Sequence, residues 1–187
     1  MHFCGRYFYL GKYVNVKQVQ STDGGNTGNN SYLGSNPIFL TMKQKLYIDI
    51  ETFSSVDIST AGAYRYMESI DFEILMVAFA FNDEPIDCID LAQGEQLPKR
   101  FIDALYNPNI EKHAHNANFE RNAFKAYGYD IPVEQWHCSA VKSAYCGLPL
   151  SLEMVSQALK LEEKGKLSTG KALIKYFSVP IKPTKIN

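Results

Sequence analysis

The stretch at residues 72–82, FEILMVAFAFN, does most to limit how this chain can fold. Apolar side chains follow one another almost without a break, so a strand there needs cover on both faces. A strand with one wet face would alternate instead. The uninterrupted part, residues 74–81, is far too short to cross a bilayer. Asn82-Asp83-Glu84-Pro85 reads as a turn, and residues 86–91 (IDCIDL) read as the returning strand of a hairpin. The chain has 187 residues, 45% of them hydrophobic and 21% charged, enough apolar material for a real core and too much for a disordered chain.

The elements on either side extend the pattern. Residues 45–52 (KLYIDIET) form a short strand with acids set in an apolar run. Residues 98–106 fit a helix with Pro98 at its first position and Phe101, Ile102 and Leu105 inward. Residues 111–115 suggest a fourth strand. Residues 116–127 suggest a helix capped by Asn116 and ended by Gly128. Residues 136–140 are a fifth strand or a short link, and 141–146 are helical. Ser151 caps a helix to residue 161 with Leu152, Val155, Ala158 and Leu159 on one face, and a last helix spans 169–177. Strands first, then strand and helix in alternation, argue for an α/β layered domain with a mixed sheet.

Residues 1–41 differ from the rest. They hold Arg6, Lys12 and Lys17 against Asp23, a charge of +2, and half of the 12 glycines. A small hairpin could turn at Gly11-Lys12, and residues 21–36 (STDGGNTGNNSYLGSN) read as a linker. Residues 42–187 carry −3, giving −1 overall. That balance excludes a protein that grips nucleic acid mainly through bulk positive charge, and leaves room for one that uses carboxylates to hold cations. No leader pattern or membrane span is expected. Cys4, Cys88, Cys138 and Cys146 show no C-x-x-C spacing, so the expectation is free thiols in a reducing cytoplasm.

The sharpest chemical feature is Asp49-Ile50-Glu51. Residues two apart on a strand share a face, so the two carboxylates project side by side while Ile48 and Ile50 turn into apolar packing. Adjacent ionised carboxylates repel, and a divalent cation relieves them; hard oxygen ligands suit Mg²⁺ or Mn²⁺. A solvated pair at a strand end is the plainer alternative. The second feature is residues 115–120, HNANFE, where a strand ends and a helix begins. Glu120, one turn into the helix, could bring a third carboxylate to the edge of the sheet, or could simply favour the positive end of the helix dipole.

Taken together and in order, these stretches resemble the DEDD superfamily of exonucleases. LYIDIETFSS (46–55) resembles its first motif and HNANFE its second. IDFEILMVAFAFNDEP, EQWHCSA and KALIKYFSVPIKPTK extend the likeness to the proofreading 3′–5′ exonuclease region of phage-type family A DNA polymerases, over roughly residues 43–185. The resemblance implies an RNase H-like mixed sheet flanked by helices. It implies two divalent cations, Mg²⁺ or Mn²⁺, held by Asp49, Glu51 and Glu120, about 4 Å apart and clamping the scissile phosphate. It places Thr52, Phe53 and Asn116 against the substrate and gives Phe119 a packing role. The implied substrate is the 3′ end of single-stranded DNA, in the cytoplasm of a bacterial host if the chain is phage or prophage.

Two departures accompany the likeness. The second-motif acid is usually Asp, and here it is Glu120. The third motif, with its fourth carboxylate, would follow KPTK after a further segment, and a polymerase domain after that; Asn187 comes first. The expectation is therefore a C-terminally incomplete exonuclease domain at 42–187 with impaired turnover. A non-catalytic nucleic-acid-binding remnant, an RNA-directed 3′–5′ exonuclease and a non-functional fragment of a broken gene are the rivals.

Other features weigh less. Residues 165–172 (GKLSTGKA) almost spell a phosphate loop but end in Ala172 where Ser or Thr is needed. His113 and His115 share a strand face, and no third metal ligand is evident near them in the sequence. Lys160, Lys164, Lys166, Lys171, Lys175, Lys182 and Lys185 make a basic C-terminal stretch that could meet a nucleic-acid backbone or only solvent. Residues 1–41 are expected to be an appendage, or upstream sequence, outside the folded domain. Deleting them should leave the melting temperature and any nuclease rate unchanged; a large drop in either would show that they belong to the fold.

Overall fold

A computed structural model describes residues 43–161. The expected appendage, the phosphate-loop-like stretch and the helix at 169–177 lie outside the described residues. The chain enters β1 (Gln44–Phe53), which runs between two partners. Helix α1 (Ile58–Met67) follows, then β2 (Glu73–Phe81) and β3 (Asp87–Asp90). A short 3₁₀ turn (Leu91–Gln93) leads to α2 (Lys99–Tyr106), β4 (Ile110–Ala114) and α3 (Asn118–Ala126). A second 3₁₀ turn (Val133–Gln135), β5 (Trp136–Cys138), α4 (Ser139–Tyr145) and α5 (Leu152–Ala158) complete the described part.

The sheet order is β3-β2-β1-β4-β5. β2 pairs antiparallel with β1 and with β3, whereas β4 runs parallel to β1, and β5 parallel to β4. This is a mixed five-stranded sheet with helices, an α/β architecture consistent with an RNase H-like fold. β2 lies inside the sheet with both faces covered, as its unbroken apolar run requires. Val77, Phe79 and Phe81 join Leu46, Ile48 and Ile50 of β1 in the main core, against Phe101, Ala104 and Leu105 of α2 and Ala123 and Phe124 of α3. On the opposite face Tyr47, Ala78 and Ala80 form a smaller buried cluster with Ile86.

Several expectations shift. β5 is a true strand in parallel register with β4. Pro98 stands just before α2 rather than inside it. Asn116 is not the cap of α3: it takes a left-handed φ of 65°, and the helix begins at Asn118 after Ala117. Asn tolerates that region, which lets the chain turn sharply from β4 into the helix, and the Asn116 carbonyl accepts from the Phe119 amide at 2.8 Å. Ser151 precedes α5, but its side chain makes no capping bond. Helix α1 had no signal in the sequence. Gly62 breaks it with φ 81° and ψ 164°, and its inward residues, Tyr66 and Met67, sit only at its end. Asp57 starts it, accepting from the Ser59 amide at 2.8 Å. Cys138 and Cys146 form no disulfide among the described residues. No helix among the described residues is long and apolar enough to cross a membrane.

Phe101 is the centre of the main core. It is fully buried, with ring centroids 4.7 Å from Phe79 and 5.9 Å from Phe124. Phe101→Ala should cost about 3–5 kcal/mol, read as a shift in the denaturant midpoint at constant slope.

Candidate active site

Asp49 and Glu51 lie where the two-residue period of β1 puts them, on the face opposite Ile48 and Ile50, which are in the core. Both carboxylates are half-buried. Asp49 stands opposite Ala78 and Glu51 opposite Met76. The register then slips: Glu51 pairs with Met76 but Thr52 with Ile74, so Leu75 is an extra residue in β2. Such a bulge bends the ladder and re-aims the side chains beside it. Here it falls directly after the two acids.

Thr52 is buried, and its hydroxyl shares a 3.0 Å hydrogen bond with the hydroxyl of Tyr66 on α1. Burial raises the Tyr66 pKa; its bond to Thr52 works the other way, and the charge of Glu51 adds to the rise. Tyr66 therefore sits within electrostatic reach of Glu51. Its ring also packs against Phe72 and Phe119, with centroids 5.7 and 6.4 Å away. Phe119 thus packs α3 against Tyr66 of α1, where packing onto the sheet was expected. Phe53 is half-buried and pairs with Glu73. Asn116 is exposed in the turn before α3.

Glu120 is the electrostatic outlier. It lies in the first turn of α3 and is only 4% exposed. Burial pushes its pKa well above the usual carboxylate range, and the charge of Asp49 pushes it further. Its Oε2 is buried with no hydrogen-bond partner. Buried polar atoms are nearly always satisfied, so an orphaned carboxylate oxygen within electrostatic reach of another acid is an unusual arrangement. A proton on Glu120 relieves it, and a bound cation would do the same. Carboxylate oxygens suit a hard divalent ion, but Asp49, Glu51 and Glu120 are not a group whose ligand atoms converge among the described residues.

His115, which precedes these residues, is a clamp. Its Nε2 donates to the Leu150 carbonyl at 3.0 Å, leaving Nδ1 to accept from the Ser139 hydroxyl at 2.9 Å. It joins the end of β4 to the start of α4 and to the loop before α5. Tyr66 was not legible as a site residue, and the clamping role of His115 was not, because their partners are brought in from other elements.

A second group gathers elsewhere on the sheet. Among the described residues, Glu111, His113 and His137 bring one ligand atom each within 4.8 Å of one another, a set that could bind a metal ion. His115, the expected companion of His113, is not in it; the neighbouring strand β5 supplies His137 instead.

The fold and its acid-bearing strand define a mixed-sheet α/β domain with a buried carboxylate within electrostatic reach of a strand carboxylate. The chain is 52% identical, over 143 residues, to a DNA polymerase of Bacillus phage SP02. The matched stretch is 76% of this chain and 22% of that relative, so the chain spans about a fifth of the relative's length. No protein-family model matches, and no solved structure does. The chain is therefore a homologue of part of a phage DNA polymerase.

Glu120 gives a signed pH dependence. Its pKa is higher folded than unfolded, where a Glu titrates near about 4.3, so the folded state holds the extra proton. Its contribution is complete below that unfolded value and is lost as pH rises through the folded one. In EDTA, wild type should lose stability relative to Glu120→Gln as pH rises from about 5 to 8, with the variant ahead by about 1–2 kcal/mol at the upper end. Thermal melts of both proteins across that range check it; parallel curves would contradict it.

Proposed function

We propose that this region is a metal-dependent 3′–5′ exonuclease of the proofreading type, acting on the 3′ end of single-stranded DNA in the cytoplasm of a bacterial host. The observation that carries the reading is Glu120, a buried carboxylate with an orphaned oxygen beside Asp49. The homology to a phage DNA polymerase supports it, since a DNA polymerase works on DNA 3′ ends.

Asp49, Glu51 and Glu120 would hold the ions, two Mg²⁺ or Mn²⁺. Bound there, such ions supply a Lewis acid for the phosphate and an activated water. The chain's own residues do the rest. Deprotonated, Glu120 would help hold an ion through Oε2, the oxygen that has no partner within the protein. The burial of Glu120 keeps bulk water from screening that charge. Tyr66 holds the Thr52 hydroxyl and, through it, the strand immediately after the acids. Thr52 and Phe53 border the terminal nucleotide, Thr52 through its backbone because its hydroxyl is engaged. Asn116, exposed in the turn before Glu120, is free to meet a phosphate.

A 5′-labelled single-stranded DNA incubated with the full chain and Mn²⁺ should shorten stepwise from its 3′ end, and EDTA should stop it. Asp49→Ala and Glu51→Ala should each slow shortening by about 10²-fold or more. No shortening by wild type, or equal rates in wild type and variants, overturns the proposal. An equal or faster rate on RNA of the same sequence overturns the assignment of DNA as substrate.

A further inference from the structure

We propose that Glu111, His113 and His137 form a separate site for a transition-metal ion of the Zn²⁺ type, joining β4 to β5 and distinct from the carboxylates of β1 and α3. The placement follows from strand geometry. Glu111 and His113 are two apart on β4 and share a face. His113 is the register partner of His137 on the parallel strand β5. Their rings stack with centroids 4.8 Å apart and an interplanar angle of 17°. The Glu111 carboxylate bridges the two imidazoles: one oxygen lies 3.2 Å from His113 Nε2 and the other 3.8 Å from His137 Nε2.

The donor set selects the class of ion. Two imidazoles and one carboxylate with an open position are the ligands of many zinc sites, and imidazole nitrogen suits Zn²⁺, Ni²⁺ or Cu²⁺ far better than Mg²⁺. Burial lowers the pKa of both histidines, that of His113 to about 4, so both rings are neutral at pH 7 and carry lone pairs. Glu111 is partly buried, which opposes its ionisation. Its pKa is nonetheless lowered, chiefly by its hydrogen bond to His113. Lys45 and Lys142 lie within electrostatic reach of the cluster and oppose a hard ion held by charge alone. A bond with covalent character to nitrogen is less sensitive to them.

His113 also shows the limit of the site. It is 1% exposed, and its Nδ1 is buried without a partner. An imidazole that binds a metal through Nε2 carries its proton on Nδ1, where most zinc sites provide an acceptor. Its lack here points to binding about 10–100-fold weaker than at a site that supplies the acceptor.

The test is equilibrium binding of Zn²⁺ to the full chain, stripped with EDTA and dialysed, read by calorimetry and by the melting temperature. Wild type should bind one equivalent that is lost, or weakened about tenfold or more, in both His137→Gln and Glu111→Gln. Excess Mg²⁺ should not displace it, and Asp49→Asn should retain it. His113→Gln is avoided because its side chain is buried. Circular dichroism confirms that the two variants fold; if one does not, the other and the wild-type stoichiometry decide. No saturable binding by wild type overturns the site, as does unchanged affinity in a folded variant or loss of binding in Asp49→Asn. Failure here leaves the nuclease proposal standing, since the two rest on different residues.

Discussion

The structure depends on one constraint: β1 has to bury both faces while carrying acids on one of them. Leu46, Ile48 and Ile50 point into the core beneath α2 and α3, which forces Tyr47, Asp49 and Glu51 to the other face. A slip of one residue in register would put carboxylates into the core and isoleucines outside, so the apolar half of the strand fixes where the acids go. β2 reinforces this. With Val77, Phe79 and Phe81 in the same core and Ala78 and Ala80 on the other face, it is held from both sides and gives β1 a rigid neighbour.

Electrostatic cost concentrates where the chemistry is proposed. Most charged side chains among the described residues are exposed, and ion pairs such as Lys99 with Asp103 contribute little. Glu120 is different, because it is desolvated, feels the charge of Asp49 and has an oxygen without a partner. Lys112 is fully buried too, but its ammonium donates to the Asn107 carbonyl at 2.7 Å and to the Gln135 side chain, and burial draws its pKa to about 8. The contrast separates a buried charge that the fold satisfies from one that it leaves to a ligand. The hydroxyl pair of Thr52 and Tyr66 and the two bonds of His115 then stiffen the segments around the acids.

Legibility in the sequence followed the range of the interaction. Strand periodicity is local, so the β1, β2 and β3 pattern, the pairing of Asp49 with Glu51 and the inward turn of Phe101 and Leu105 were all readable. Helix α1 was not, because Gly62 interrupts it and only its last turn buries large side chains. The cap of α3 was misplaced for a related reason. Asn is as suited to a left-handed turn as to a helix cap, and the tight corner between β4 and α3 determines which role Asn116 takes.

The two clusters of ionisable groups mark the division. Asp49 and Glu51 share a face through the alternation of a single strand, which nothing distant can alter. That Glu120 comes within electrostatic reach of Asp49 is decided by tertiary structure, and its raised pKa follows chiefly from its burial. His113 and His137 are 24 positions apart and meet because β4 and β5 run parallel in one register. Spacing along the chain says nothing about that meeting, because the order of strands in a sheet is set by which apolar faces must be covered together. Residue types and their faces were therefore legible from local periodicity, while the partners that give those residues their chemistry came from long-range packing.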